Sequence, residues 1–168
     1  MADRFKKGMK FEEFVETLLR DLDDVRMVKR TDVSSKPHKY EDIKYVPPNP
    51  DMTIMMKDGK TLEVWITHKD MPKWKWTKYR ERYISSMYWR KKTWTFMRNG
   101  QFMIYGILED AKPYEILWCP VASASYVGDW SDPRDENQDD IRASVNMSES
   151  DLLMEDGERA IDSLDEIL

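Results

Sequence analysis

Pro50-Asp51-Met52-Thr53-Ile54-Met55-Met56-Lys57-Asp58-Gly59-Lys60-Thr61-Leu62-Glu63-Val64-Trp65-Ile66-Thr67 is the stretch on which the fold turns. Asp51 to Met56 is a short run of strand-compatible residues. Thr61 to Thr67 is a second, rich in β-branched and aromatic side chains. Asp58-Gly59 between them is one of the stronger hairpin signals. The expectation is two antiparallel strands with a tight connection.

Upstream, Phe11, Phe14, Val15, Leu18, Leu19 and Leu22 recur at helical spacing, with Glu13, Glu16 and Arg20 opposite, so residues 11–22 read as an amphipathic helix. Asp23 and Asp24 suggest a turn, and Val25 to Lys29 alternates weakly as a strand does. Thr31 to Tyr40 reads as a polar loop, and Ile43 to Val46 as strand-like until Pro47, Pro48 and Pro50 end it. Downstream, residues 75–96 lack Gly and Pro and read as mostly helical, with Asn99-Gly100 as the stop. Phe102 to Leu108 and Glu115 to Ala122 read as two more strands, with a turn at Lys112-Pro113. The order is helix, strand, hairpin, long helix, strand, strand. That is an α/β domain over residues 1–127, a mixed sheet flanked by helices.

At 168 residues with 40% hydrophobic side chains, the chain can bury one core of ordinary size. No apolar run approaches the roughly 18 residues of a membrane span. A single cysteine, Cys119, excludes an internal disulfide and a cysteine-rich zinc site. Within the apolar run 116–121 it reads as a buried, inert thiol, and the composition points to a reducing compartment, the cytoplasm. The net charge of −5 hides a division. Residues 1–127 hold 24 Lys and Arg against 18 Asp and Glu, while residues 128–168 hold 3 against 14. An acidic tail therefore follows a mildly basic body. Residues 151–168 carry Leu152, Leu153, Ile161, Leu164, Ile167 and Leu168 among the acids. They read as a short amphipathic helix or as a tail that orders on a protein partner.

Asp51 opens one strand of the hairpin and Glu63 lies in the other. Paired strands run about 4.8 Å apart. Two carboxylates on facing strands can share a hard cation such as Mg²⁺ or Mn²⁺, which would activate water and offset charge on a phosphodiester. Glu63 is flanked by Leu62, Val64 and Ile66, apolar company for an idle carboxylate. From Met71 to Arg98 there are nine Lys and Arg and one acid, Glu81. Lys73, Lys75, Arg80, Arg82, Arg90, Lys91 and Lys92 are interleaved with Trp74, Trp76 and further aromatics. Basic groups neutralise phosphates and aromatic faces stack on unpaired bases, so this helix reads as a nucleic-acid surface.

Pro50-Asp51, a short strand, a turn and then Glu63 inside an apolar strand resembles the PD-(D/E)XK nuclease superfamily, whose core is a helix, three strands, a helix and a further strand. The resemblance covers roughly residues 10–122 and implies a restriction-endonuclease-like fold. It also implies a metal-dependent endonuclease, with DNA favoured over RNA because most of the superfamily acts on DNA. Cutting a duplex would usually call for a homodimer. The family pattern places a lysine two residues after the second acid, where this chain has Trp65. A branch that moves the lysine into the following helix is the cap-snatching endonuclease domain of influenza-type polymerase acidic subunits. Pro50-Asp51, Glu63-Val64-Trp65-Ile66-Thr67-His68-Lys69 and Lys78 are similar to it over a short stretch. That likeness implies Lys78 as the lysine that positions water or offsets phosphate charge, with Lys73 and Lys75 as competitors. It also implies a histidine ligand, for which His38 is the counterpart; the wider superfamily resemblance implies an acid from the first helix, for which Glu12, at the margin of the apolar face, is the candidate. His68 is expected to face away from Glu63 by strand alternation. The alternatives to an endonuclease are a non-catalytic nucleic-acid-binding module on the same fold, with Trp65 marking a disabled site, and a regulatory protein acting through its acidic tail.

Overall fold

The computed structural model describes residues 2–31, 50–86, 99–126, 141–145 and 149–168, with side chains for most of these. The chain forms α1 (Ala2–Arg20), β1 (Val25–Arg30), β2 (Met52–Met56), β3 (Thr61–Asp70), α2 (Lys73–Ser86), β4 (Phe102–Glu109) and β5 (Lys112–Tyr126). There follow β6 (Ile141–Val145), β7 (Asp151–Glu155), β8 (Glu158–Arg159) and a 3₁₀ turn at Leu164–Glu166. The strands join in one mixed sheet in the order β1-β2-β3-β4-β5-β7-β8, with β6 paired to the distal part of β5. It is an α/β fold. The 43–46 strand expected from sequence lies outside the described residues.

The hairpin forms as expected. Met52 faces Val64 and Thr53 faces Glu63, and Gly59 takes the turn at φ +95°. β3 then runs parallel to β4, from Val64 opposite Phe102 to Asp70 opposite Leu108. A parallel pair needs a crossover, and α2 supplies it. Side chains of β2 and β3 alternate between two cores. Met52, Ile54, Met56 and Val64 pack with Phe11, Val15, Leu18, Leu19 and Leu22 of α1. Trp65 packs on the other face with Trp76 of α2 and with Met103, Tyr105 and Leu117. Each such side chain contributes about 1.5–3 kcal/mol on burial, so α1 is held by packing rather than by its own propensity. β4 is buried on both faces from Met103 to Leu108, which explains its unbroken apolar sequence.

Two expectations are corrected. The β4–β5 turn is at Asp110-Ala111, with Glu109 paired to Lys112, rather than at Lys112-Pro113. Both turn residues have positive φ, 50° and 65°, the backbone a two-residue hairpin demands. Pro113 already lies in β5. The second correction concerns the acidic end. Residues 151–168 form neither a helix nor a free tail, because β7 adds to the sheet beside β5 and β8 pairs back on β7. Leu153, Met154, Ile161 and Leu164 enter the α1-side core. The Asp24 carboxylate accepts the N–H groups of Leu164 and Asp165, both at 2.9 Å, and fastens the end to the α1–β1 corner.

Candidate functional site

Alternation along β3 decides what can meet what. Leu62, Val64 and Ile66 face α1, so Glu63, Trp65, Thr67 and Lys69 face the α2 side. Glu63 is exposed there. Extending the β2–β3 register by one residue sets Asp51 opposite Trp65, two positions from Glu63 on the neighbouring strand. Such diagonal neighbours have Cα atoms about 7–8 Å apart, within reach of two carboxylates bridged by an ion. Asp51 is half-buried, and its Oδ2 accepts the Ile66 backbone N–H at 2.7 Å, which fixes the carboxylate at the mouth of β2. Thr31 donates its backbone N–H to the Asp51 carbonyl at 3.1 Å, and its hydroxyl bonds to the Pro50 carbonyl. By register, Asp51 and Glu63 thus lie on adjacent strands, two positions apart.

The other expected participants are distributed differently. Trp65, at the family's lysine position, is 5% exposed and donates Nε1 to Gln101 Oε1 at 2.9 Å. Lys78 is exposed on α2, its ammonium 5.4 Å from the Tyr79 ring centroid. Its height follows from the register. Trp76 Nε1 and Arg80 Nε both donate to Glu115 Oε2, at 2.9 and 3.0 Å, Glu115 pairs with Ile107, and Ile107 pairs with Lys69. Lys78 therefore stands near the Lys69 level, six residues along β3 from Glu63, or about 20 Å. The fold does not bring Lys78 to the carboxylate pair. Glu12 is bound by Arg30 at 2.7 Å, and Arg30 pairs with Met52 on the α1 side of the sheet, away from Glu63. His68 packs its ring at 5.5 Å from Phe11, on the face opposite Glu63. His38 lies outside the described residues.

Of the basic and aromatic residues on α2, some serve the fold. Trp76 is 1% exposed, and with Arg80 it anchors the helix to Glu115. Lys73 bonds to Asp156 at 2.8 Å, and that contact raises its pKa above the ordinary value. Its backbone N–H is taken by Glu109 at 2.8 Å, which caps the helix start. Trp74, at 66% exposure, and Lys75 point into solvent. The Arg82 side chain and Arg90, Lys91 and Lys92 lie outside the described residues. Cys119 is buried, and burial pushes its thiol pKa up, as suits an unreactive sulfur.

Lys69, exposed, has the parity of Glu63 on the same strand, which continues to Asp70. Among the described residues, no three His, Cys, Asp or Glu side chains converge as a metal cage, and no helix is long and apolar enough to cross a membrane. A two-carboxylate donor set still suits Mg²⁺, which keeps several waters and is often held by one or two carboxylates together with substrate phosphate. No family model, curated protein or solved structure matches the chain.

Proposed function

We propose that the chain is a metal-dependent endonuclease that hydrolyses phosphodiester bonds in nucleic acid, with DNA favoured over RNA, on a restriction-endonuclease-like fold. The observation that carries this function is the placement of Asp51 and Glu63. They are diagonal neighbours on one hairpin within a helix, three-strand, helix, strand order. That order matches the core of the family whose motif the hairpin resembles. Asp51 and Glu63 would hold the ion, Mg²⁺ or Mn²⁺. When bound, such an ion lowers the pKa of its water and offsets phosphate charge. The Ile66 N–H orients the Asp51 carboxylate, the kind of supporting contact that sets ligand geometry. Lys78, distant from the pair, would meet the nucleic-acid backbone rather than the attacking water. A homodimer would let two such sites address both strands of a duplex.

One observation favours a second function, a non-catalytic nucleic-acid-binding module. Trp65 is buried and hydrogen-bonded where the family pattern carries a cation. The two are separated by Mn²⁺-dependent melting and cleavage of labelled DNA and RNA, comparing the native chain with Asp51→Asn and Glu63→Gln. An ion that binds only the native state raises Tm. An endonuclease shows that rise and metal-dependent cutting, and both variants lose them. Binding to nucleic acid without either effect selects the second function.

A further inference from the structure

The sheet face that carries Asp51 and Glu63 also carries a lysine from a third strand. In β1 the irregular pairing lies between Val25 and Met27, and from Met27 to Arg30 the register with β2 is continuous. Val28 is buried in the α1-side core and Arg30 bonds to Glu12 of α1, so Lys29 between them faces the opposite side. Lys29 pairs with Thr53, and Thr53 pairs with Glu63. The three residues form one row across β1, β2 and β3, on the face that Glu63 shares with Trp65. Lys29 and Glu63 are exposed, and Thr53 is half-buried. Two strand spacings set the Cα atoms of Lys29 and Glu63 roughly 10 Å apart. The β1–β2 ladder runs on to Asp51, whose carbonyl takes the Thr31 N–H at 3.1 Å. Asp51 is therefore a diagonal neighbour of Lys29 across β1 and β2, as it is of Glu63 across β2 and β3.

We infer that Lys29 is the phosphate-binding residue of the Asp51 and Glu63 site, its ammonium taking a phosphate oxygen of the nucleic-acid strand presented to the two carboxylates. The inference rests on the proposed endonuclease function for the role of the carboxylates, but not for the phosphate contact itself. Two carboxylates by themselves repel a phosphodiester, and an ammonium on the same face offsets that repulsion. Lysine binds phosphate as a point charge on a flexible four-carbon stem, so the contact needs no fixed fork geometry. The neighbouring bases are engaged elsewhere. Glu12 holds Arg30 at 2.7 Å and Glu16 holds Arg20 at 2.6 Å, both by way of α1. Lys29 faces away from those two acids. A contact to phosphate positions a strand without reading its bases, so this one is sequence-independent.

The test uses the full chain in EDTA, with a labelled mixed-sequence single-stranded DNA and anisotropy titrations over a range of salt. The variants are Lys29→Gln, Lys29→Arg, and Lys60→Gln as a control whose charge is paired with Asp58 at 3.5 Å. Losing one phosphate contact in Lys29→Gln should make the slope of log K against log salt less negative by about 0.7. Lys29→Arg keeps the charge and should keep the native slope, and so should the control. Melting curves should show every variant folded, since the changed side chains are exposed. The Mn²⁺-dependent rise in Tm should survive in Lys29→Gln, because an ammonium is no ligand for a cation. An unchanged slope in Lys29→Gln, an equal loss in the control, or a native chain without salt-sensitive binding overturns the assignment. Loss of the Mn²⁺ effect in Lys29→Gln also overturns it, by making Lys29 a strut of the carboxylates. The expected slope change in a chain that shows no Mn²⁺ effect and never cuts would sink the endonuclease function and leave the phosphate contact standing. Metal-dependent cutting by the native chain, with the Lys29→Gln slope unchanged, would do the reverse.

Discussion

The Asp51 carboxylate receives the backbone N–H of Ile66 at 2.7 Å, so the first residue of the proposed metal pair is also a strut of the hairpin. β3 switches partners here, leaving β2 and continuing on β4, and among the described residues no strand pairs with Ile66 on the β2 side. Asp51→Ala should therefore cost about 1–3 kcal/mol of stability by orphaning that donor. Asp51→Asn keeps an acceptor and should cost less than half as much, while removing the charge a cation needs. Urea melts of the two variants measure the difference. Equal destabilisation would show that the hydrogen bond does not anchor the strand.

Ala111 sits at φ 65° in the two-residue turn between β4 and β5. A side chain there costs about 1–2 kcal/mol relative to the right-handed region, and glycine carries no such penalty. Ala111→Gly should raise stability by about 1 kcal/mol after the entropy of the unfolded glycine is subtracted. A calorimetric Tm at or below the native value would contradict this.

Phe11 of α1 lies on the backbone of Gly106 in β4, and a Cβ at Gly106 would fall 2.1 Å from the ring. The ring has no slack, because His68 flanks it. Gly106→Ala should destabilise by at least about 1–3 kcal/mol through overpacking. Phe11→Leu should recover part of that loss in a double-mutant cycle, since the two positions share one space. Strict additivity would separate them.

Burial of Asp24 favours its neutral form, but the N–H groups of Leu164 and Asp165 and the Ser163 hydroxyl outweigh it, so its pKa is lowered from 3.8. A carboxyl with a depressed folded pKa contributes stability that is complete above the unfolded value and disappears as pH falls through the folded one. The Tm gap between the native chain and Asp24→Ala should be constant near neutral pH and narrow once pH drops below 3.8. The neutral-pH gap should correspond to about 1 kcal/mol, as befits a half-exposed group. A gap independent of pH would remove Asp24 from the docking of the C-terminal end.

Local periodicity in the chain carried much of the architecture. The apolar stripe from Phe11 to Leu22, the Asp58-Gly59 turn and the continuous apolar run of β4 each have a short-range physical cause, so α1, the hairpin and the central strand were readable without coordinates. The same short-range signal stands at Asp156-Gly157, with φ of 51° and 81°, and it marks the β7–β8 hairpin. The density of acids around it concealed a strand pair in what reads as a tail. Membership of that pair in the sheet depends on β5, more than thirty residues upstream, offering a free edge. No local pattern records this. The same holds for the site. Asp51 and Glu63 were nameable because one turn joins them, whereas the remoteness of Lys78 and the engagement of Glu12 by Arg30 follow from strand register. Register is set by packing on both faces of the sheet at once, a property of the assembled tertiary structure and not of any single segment.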